Sequence, residues 1–207
     1  MSLTWSPDYA PVDEDFGQVA LLLKGEGADT STTILDSSSN NLSVTANGDA
    51  QIINTVATPC SPTVPSDGVL AFDGTGDYLS TPVTPFQFLH KLTDSWTAEG
   101  WIYRISATQG CVFDTGGASN TTVGTAFYVN ANGSVAFSIR QALPSINVSL
   151  SAPSSTVNTN AWCHLAACYD QSTVKLFING VLIASVLYNT QTSNNASQST
   201  FKVRVYE

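Results

Sequence analysis

Residues 71–80 read AFDGTGDYLS, with Asp73 and Asp77 set around Gly74 and Gly76. Such a knot suits a phosphate cradle, a calcium loop, part of an acid/base pair, or a tight turn. The phosphate reading fails on context. Neither G-x-G-x-x-G nor a P-loop pattern is present, and no helical pattern follows whose N-terminus would face an anion. Calcium fits the residue types, because DGTGD (73–77) and DSSSNN (36–41) both offer carboxylate and carbonyl oxygens. EF-hand spacing is absent, however, and Asp-Gly pairs are ordinary turn formers. The knot therefore reads as a tight reversal between two strands, with Asp73 and Asp77 as calcium candidates and no other cofactor expected.

Catalytic chemistry finds little support. Glycoside hydrolysis needs two carboxylates flanking one bond. Glu99 stands alone in SWTAEGWIY, and Asp94 lies an odd number of residues away, on the other side of a strand. Asp73 and Asp77 are separated by a glycine turn, a poor scaffold for fixed geometry. Of the 2 histidines, His164 lies in the apolar run WCHLAACYD and reads as packed and hydrogen-bonded. His90 reads as a loop residue beside Lys91. No catalytic residue is expected. The 4 cysteines, Cys60, Cys111, Cys163 and Cys168, lack metal-finger spacing and read as small buried hydrophobes. Cys163 and Cys168 fall on opposite faces of one strand, a poor geometry for a disulfide.

Glycan binding would call on exposed aromatics backed by polar groups, for which Trp5, Tyr103, Tyr128 and Tyr188 are the candidates. Trp96, Trp101, Phe127, Phe137, Trp162 and Phe177 alternate along apolar runs and read as core. The sequons at Asn41, Asn120, Asn132, Asn147 and Asn195 match chance in a chain this rich in Asn, Ser and Thr.

The elements that must position these groups are strands. The chain has 207 residues, 43% hydrophobic and only 11% charged, enough for a real core. Short alternating runs recur: QVALLLK, LSVTA, GVLAF, DYLSTPV, SWTAEGWIYRI, TAFYVNANGSVAFSIR, SINVSLSA, AWCHLAACYD and TVKLFINGVLIASVL. Asn179-Gly180 predicts a type I′ hairpin, and Asn130–Ser134 a three-residue one with Gly133 left-handed. Gly100 suggests a bulge or close approach. Residues 83–92 read as one helical turn or a loop, and residues 57–68, with their prolines, as a surface loop. Many short strands between turns predict an all-β, two-sheet antiparallel sandwich. A net charge of −9 argues against nucleic acid and anionic membranes as partners. No run is long and apolar enough to span a bilayer as a helix. The N-terminus lacks a signal-peptide pattern, so the expectation is synthesis in the cytoplasm or a mature form numbered afresh.

Four stretches in this order, VALLLKGEGADTSTTILDSSSNNLSVTANGDAQI, GVLAFDGTGDYLSTP, SWTAEGWIYRI and NTNAWCHLAACYDQSTVKLFINGVLIAS, resemble the laminin G-like branch of the concanavalin A-like jelly-roll domains. The wording is similar to that of tailed-phage and environmental viral structural proteins. The resemblance implies two packed antiparallel sheets, with a binding surface and rim calcium in some members. It departs from the family at the end, where STFKVRVYE implies a short, altered or missing closing strand. The expected organisation is an extended arm over 1–16 and a jelly-roll domain over 17–207 with a shortened C-terminal end. The expected role is a non-catalytic virion structural, decoration or adhesion protein on the outer surface of a capsid or tail, made in the host cytoplasm. Its partners would be other virion proteins or copies of itself, touched through Trp5, Tyr9, Phe16, Phe201, Val203, Val205 and Tyr206, with FKVRVYE either adding to a partner's sheet edge or closing its own sandwich. The alternative is a lectin-type module for host-surface glycans, assisted by calcium.

Overall fold

Alternating apolar residues favour strands because one face of the pleat can then meet a core while the other meets water. The computed structural model describes residues 13–54, 68–115, 124–140, 147–190 and 200–205, and it follows that pattern except at QVALLLK, which forms no strand. In chain order the strands are β1 (Thr45–Asn47), β2 (Gln51–Ile53), β3 (Val69–Ala71), β4 (Tyr78–Pro82), β5 (Trp96–Tyr103), β6 (Gly110–Asp114) and β7 (Gly124–Val129). They continue as β8 (Val135–Arg140), β9 (Asn147–Ala152), β10 (Trp162–Tyr169), β11 (Thr173–Ile178), β12 (Val181–Leu187) and β13 (Thr200–Val205). All strand pairs are antiparallel. A 7-stranded sheet runs β1-β4-β13-β6-β7-β8-β9, a 4-stranded sheet runs β12-β11-β10-β5, and β2-β3 form a ribbon.

The two larger sheets enclose one core, to which β7, β8 and β9 contribute Phe127, Phe137, Ile139 and Leu150, and β5, β10 and β11 contribute Trp96, Leu165, Tyr169 and Leu176. Burying each such side chain stabilises the fold by about 1.5–3 kcal/mol. Phe113 stacks on Phe201 at 5.3 Å, and Phe201 on Phe86 at 4.2 Å, which seats the 3-10 helix Thr84–His90 against the sandwich. A smaller cluster of Ile34, Ala50, Ile52 and Leu79 lies under the ribbon.

Both hairpin signals hold. Asn179 and Gly180 have φ of 48° and 77°, as a type I′ turn requires, and Gly133 has φ 77°. Gly133 also permits a close approach, since a Cβ there would meet the Val157 carbonyl oxygen at 2.6 Å. Gly100 does neither thing expected of it. It pairs in regular register with Leu165, and a Cβ at that position has nothing within 4 Å.

The chain end is the main correction to the topology. The closing strand is present and central: β13 is hydrogen-bonded between β4 and β6. Phe201, only 7% exposed, and half-buried Val203 pack into the chain's own clusters, and Val205 pairs with Gly110. Phe201 and Val203 are therefore not partner contacts, and β13 already has a neighbouring strand on each side in its own sheet; the side chain of Val205 lies outside what the structure describes. Phe16 sits in a 3-10 turn, Phe16–Gln18, and is exposed. Trp5, Tyr9, Tyr206 and residues 1–12 of the arm lie outside the described residues, as does Cys60. The remaining cysteines form no disulfide among the described residues: Cys111 and Cys163 are buried, and Cys168 is half-exposed on the opposite strand face from Cys163.

Candidate functional site

Side chains of β5 and β10 that do not enter the core stand on the outer side of the four-stranded sheet. There the register pairs Trp101 with His164 and Tyr103 with Trp162. Their rings meet, with centroids 5.1 Å and 5.3 Å apart. Trp101 is 47% exposed and Tyr103 39%. Glu99 Oε2 lies 3.6 Å from His164 Nε2 at one side of this row. Beyond it Glu99, Ala166, Phe177 and Leu182 stand in register across four strands. Toward the edge strand, Val181, Leu182, Ile183 and Leu187 are exposed.

Trp101, Trp162, Phe177 and His164 are thus not core residues. Trp96 is fixed inward, and Trp101 follows at an odd separation, so it must face out. The same parity puts Trp162, His164 and Phe177 opposite the buried Leu165 and Leu176. Of the glycan candidates, Tyr103 stands on this face. Tyr128 is half-buried on the outer side of the seven-stranded sheet. Tyr188 is a correction: it is 1% exposed, its hydroxyl donates to the His90 carbonyl at 2.9 Å, and its own carbonyl accepts from Tyr169 at 2.9 Å. Trp5 lies outside the described residues.

At the rim, the AFDGTGDYLS knot is not a hairpin. β3 pairs with β2, whereas β4 pairs with β1 and β13, so residues 72–77 turn a corner between two sheets. Asp77, 2% exposed, holds the corner, accepting the Asp49 N–H on Oδ1 and the Asp73 N–H on Oδ2, both at 2.8 Å. Burial alone would raise its carboxyl, but these two N–H groups hold it below the ordinary range. Asp49 is raised, first by its hydrogen bond with Asp77 and then by the charges of Asp73 and Asp77. Oxygens of Asp49, Asp73 and Asp77 lie within 4.8 Å of one another, a hard-oxygen set of the kind calcium takes. Sequence reasoning missed Asp49, which arrives from the Asn47-Gly48 turn. It also misread DSSSNN. Asp36 Oδ1 accepts from Leu22 N and Ser38 N, and Oδ2 from Leu42 N and Ser38 Oγ, at 2.8–3.0 Å, which leaves little for a cation.

Next to Tyr103 in the chain, Arg104 continues the inward parity of β5 and reaches across the end of the sandwich. Its Nη1 donates to the Val157 carbonyl at 2.9 Å, and its Nη2 to those of Thr108 and Ala131 at 3.0 and 3.1 Å. Burial lowers its pKa, but a guanidinium remains protonated. Arg104, Asn132, Ser155, Asn158 and Thr159 line a cleft of about 160 Å³. The readable signal was an arginine on the core-facing parity of a strand end. His90, expected in a loop, is fully buried in its 3-10 helix.

A laminin G-type family model of the concanavalin A-like lectin/glucanases superfamily matches residues 73–203. Among solved structures, the binding domain of Paraclostridial Mosquitocidal Protein 1 superposes with a TM-score of 0.67 at 14% identity, covering 91% of this chain and 44% of that one. The receptor binding domain of botulinum neurotoxin C/D mosaic serotype gives 0.63 at 17% identity, covering 89% and 42%. The binding domain of botulinum neurotoxin DC in complex with SialylT gives 0.59 at 17%, covering 90% and 44%. The chain spans less than half the length of these structures, and at such identities the likeness is one of fold. No curated protein matches the chain.

Proposed function

The chain belongs to the concanavalin A-like lectin/glucanases superfamily, and from that premise we propose that it is a non-catalytic binding module whose four-stranded sheet presents an aromatic face to cell-surface glycans. The observation that carries this reading is the solvent-facing Trp101–Tyr103 row with Glu99 and His164 beside it. Flat rings backed by polar groups suit a ligand with one apolar and one hydroxylated aspect. The absence of catalysis is supported by the same face. Among the outward residues of β5, β10 and β11, Glu99 is the lone carboxylate, so no pair flanks a bond there. The complex of a structurally similar binding domain with SialylT is consistent with this class of ligand.

Trp101→Ala and Tyr103→Ala are expected to reduce binding to glycans found on an array by about 30-fold each, the size of an aromatic hot spot. Unfolding midpoints should change little, because neither ring fills the core. Uniformly blank arrays would remove the glycan reading. A second reading, a structural or decoration role at the surface of a tailed-phage capsid or tail, is favoured by the exposed apolar residues of β12, for which sugars have no use. It predicts self-association or binding to capsid or tail components, and a strictly monomeric protein that binds neither would sink it.

Calcium belongs to this proposal at Asp49, Asp73 and Asp77. With a dissociation constant near 1 mM, typical of weak extracellular sites, 10 mM calcium raises stability by about 1.4 kcal/mol. Thermal unfolding with calcium and with chelator checks this, and Asp49→Asn should abolish the difference. An unchanged midpoint in wild-type protein would leave Asp77 with its corner-holding role alone.

A further inference from the structure

We infer that the cleft around Arg104 is a carboxylate subsite that takes the acidic group of a bound sugar. The inference rests on the glycan-binding reading and adds a ligand class to it.

The first support is an unbalanced charge. The chain holds 16 acidic residues against 7 basic ones, so a cation has ample opportunity to pair. Among the described residues Lys24, Lys91 and Lys175 do pair with carboxylates. Arg104 instead meets only backbone carbonyls, which orient it without neutralising it. Those bonds use three of the five guanidinium N–H donors, and two remain. Because both Nη2 hydrogens are engaged, neither edge of the guanidinium offers a complete fork; the free Nε–H and the second Nη1–H lie on different sides, and each can give a carboxylate one charge-assisted hydrogen bond.

The cleft is also firmly built. Ser155 N–H donates to the Asn132 carbonyl and Val157 N–H to that of Gly133, both at 2.9 Å, while Asn160 N–H donates to the Arg104 carbonyl at 2.7 Å. Ser155 and Asn160 hold φ of 62° and 58°, a conformation these bonds maintain. Within these walls Ser155, Asn158 and Thr159 make no side-chain hydrogen bond among the described residues. Asn132 uses its Oδ1 on the Ser134 N–H, which leaves its amide donors. Polar side chains thus line one small space beside a cation that meets no carboxylate among the described residues.

Size narrows the ligand. At about 160 Å³ the cleft is smaller than the roughly 300 Å³ at which pockets enclose whole small molecules. It accommodates one acidic group, with the rest of the ligand outside. Arg104 directly follows Tyr103 but turns to the opposite face of the strand, and no aromatic residue lines the cleft, so the acidic group is held by polar contacts alone. The net charge of −9 disfavours anions at long range, so recognition must come from these short contacts.

The test is titration of isotope-labelled full-length protein with 3′-sialyllactose, glucuronic acid and lactose, followed by amide chemical shifts. The acidic sugars are expected to bind about tenfold or more tightly than lactose, with shifts at 131–133 and 155–160, as a charge-assisted hydrogen bond implies. The exposed double substitution Asn158→Ala with Thr159→Ala should weaken the acidic sugars about fivefold or more and leave lactose unchanged. Arg104→Lys should abolish the acidic preference, read beside its unfolding midpoint because Arg104 also ties three loops. Equal affinity for acidic and neutral sugars, with shifts confined to the Trp101 face, overturns the subsite and leaves the glycan module standing. Acidic preference at the cleft that survives Trp101→Ala and Tyr103→Ala supports the subsite and removes the aromatic face from the proposed function.

Discussion

Replacing Asp36 by alanine is expected to lower the unfolding free energy by about 3–5 kcal/mol, a large part of the 5–15 kcal/mol that holds a typical domain together. The reason is local and countable. The Asp36 carboxylate, 5% exposed, accepts the N–H groups of Leu22, Ser38 and Leu42 and the Ser38 hydroxyl. It thereby joins the 19–24 segment to the turn that leads into β1. Hydrogen bonds to a charged group contribute about 1.5–3 kcal/mol each, and alanine would leave three backbone donors without an acceptor. Asparagine keeps one carbonyl oxygen and should cost about half as much. Chemical denaturation of the two variants checks this, and an alanine variant within about 1 kcal/mol of wild type would refute it. Burial raises the Asp36 carboxyl, but the N–H donors outweigh it and hold the group below 3.8. A carboxyl depressed in the folded state stabilises above its unfolded pKa, so this contribution is lost only as the pH falls below about 4.

Acidification between pH 6.5 and 4 should already remove about 3 kcal/mol through His90. This histidine is 0% exposed, and burial pushes its pKa down from 6.5 to about 4. Its Nε2 lies 3.1 Å from Thr115 Oγ1, while its buried Nδ1 has no partner. Protonation would therefore create a buried N–H that nothing accepts. Between the folded and unfolded pKa values the unfolded chain binds the proton and the folded chain does not. Stability then falls by about 1.4 kcal/mol for each pH unit, and the loss saturates below the folded value. The unfolding free energy of wild type measured at pH 7, 5.5 and 4 should trace this slope. His90→Gln, which cannot titrate, should be flatter by the same amount across that window. Parallel pH profiles would show that His90 is not the responsible group. The window lies above that of Asp36, so the two effects separate on one pH axis.

How much of this was readable in advance differs from residue to residue. The NG and ANG turns were legible because a positive φ is a requirement on two or three consecutive residues, and Asn and Gly meet it locally. The strands were legible because burial on one side of a pleat imposes a period of two. Which side a given run presents is a different question. SWTAEGWIY carries two tryptophans at odd separation, and only one can be inward; the packing of Trp96 against Phe137 at 5.7 Å and Tyr169 at 6.1 Å decides which. Asp73 and Asp77 could be seen as a pair, but Asp49 joins them only through the folding of a distant turn. Asp36 and Arg104 were hidden because their partners are backbone groups, which every residue possesses and no motif marks.

From its residues alone, then, the chain determined an all-β sandwich, its principal hairpins and its resemblance to the laminin G-like domains, since propensity, turn chemistry and periodicity act between near neighbours. Tertiary structure decided the rest: that the last strand lies in the middle of a sheet, that AFDGTGDYLS is a corner held by Asp77, and that Trp101 and Tyr103 face solvent while Arg104 lines a cleft. Those outcomes depend on which distant segments meet, and such meetings are set by the whole core at once.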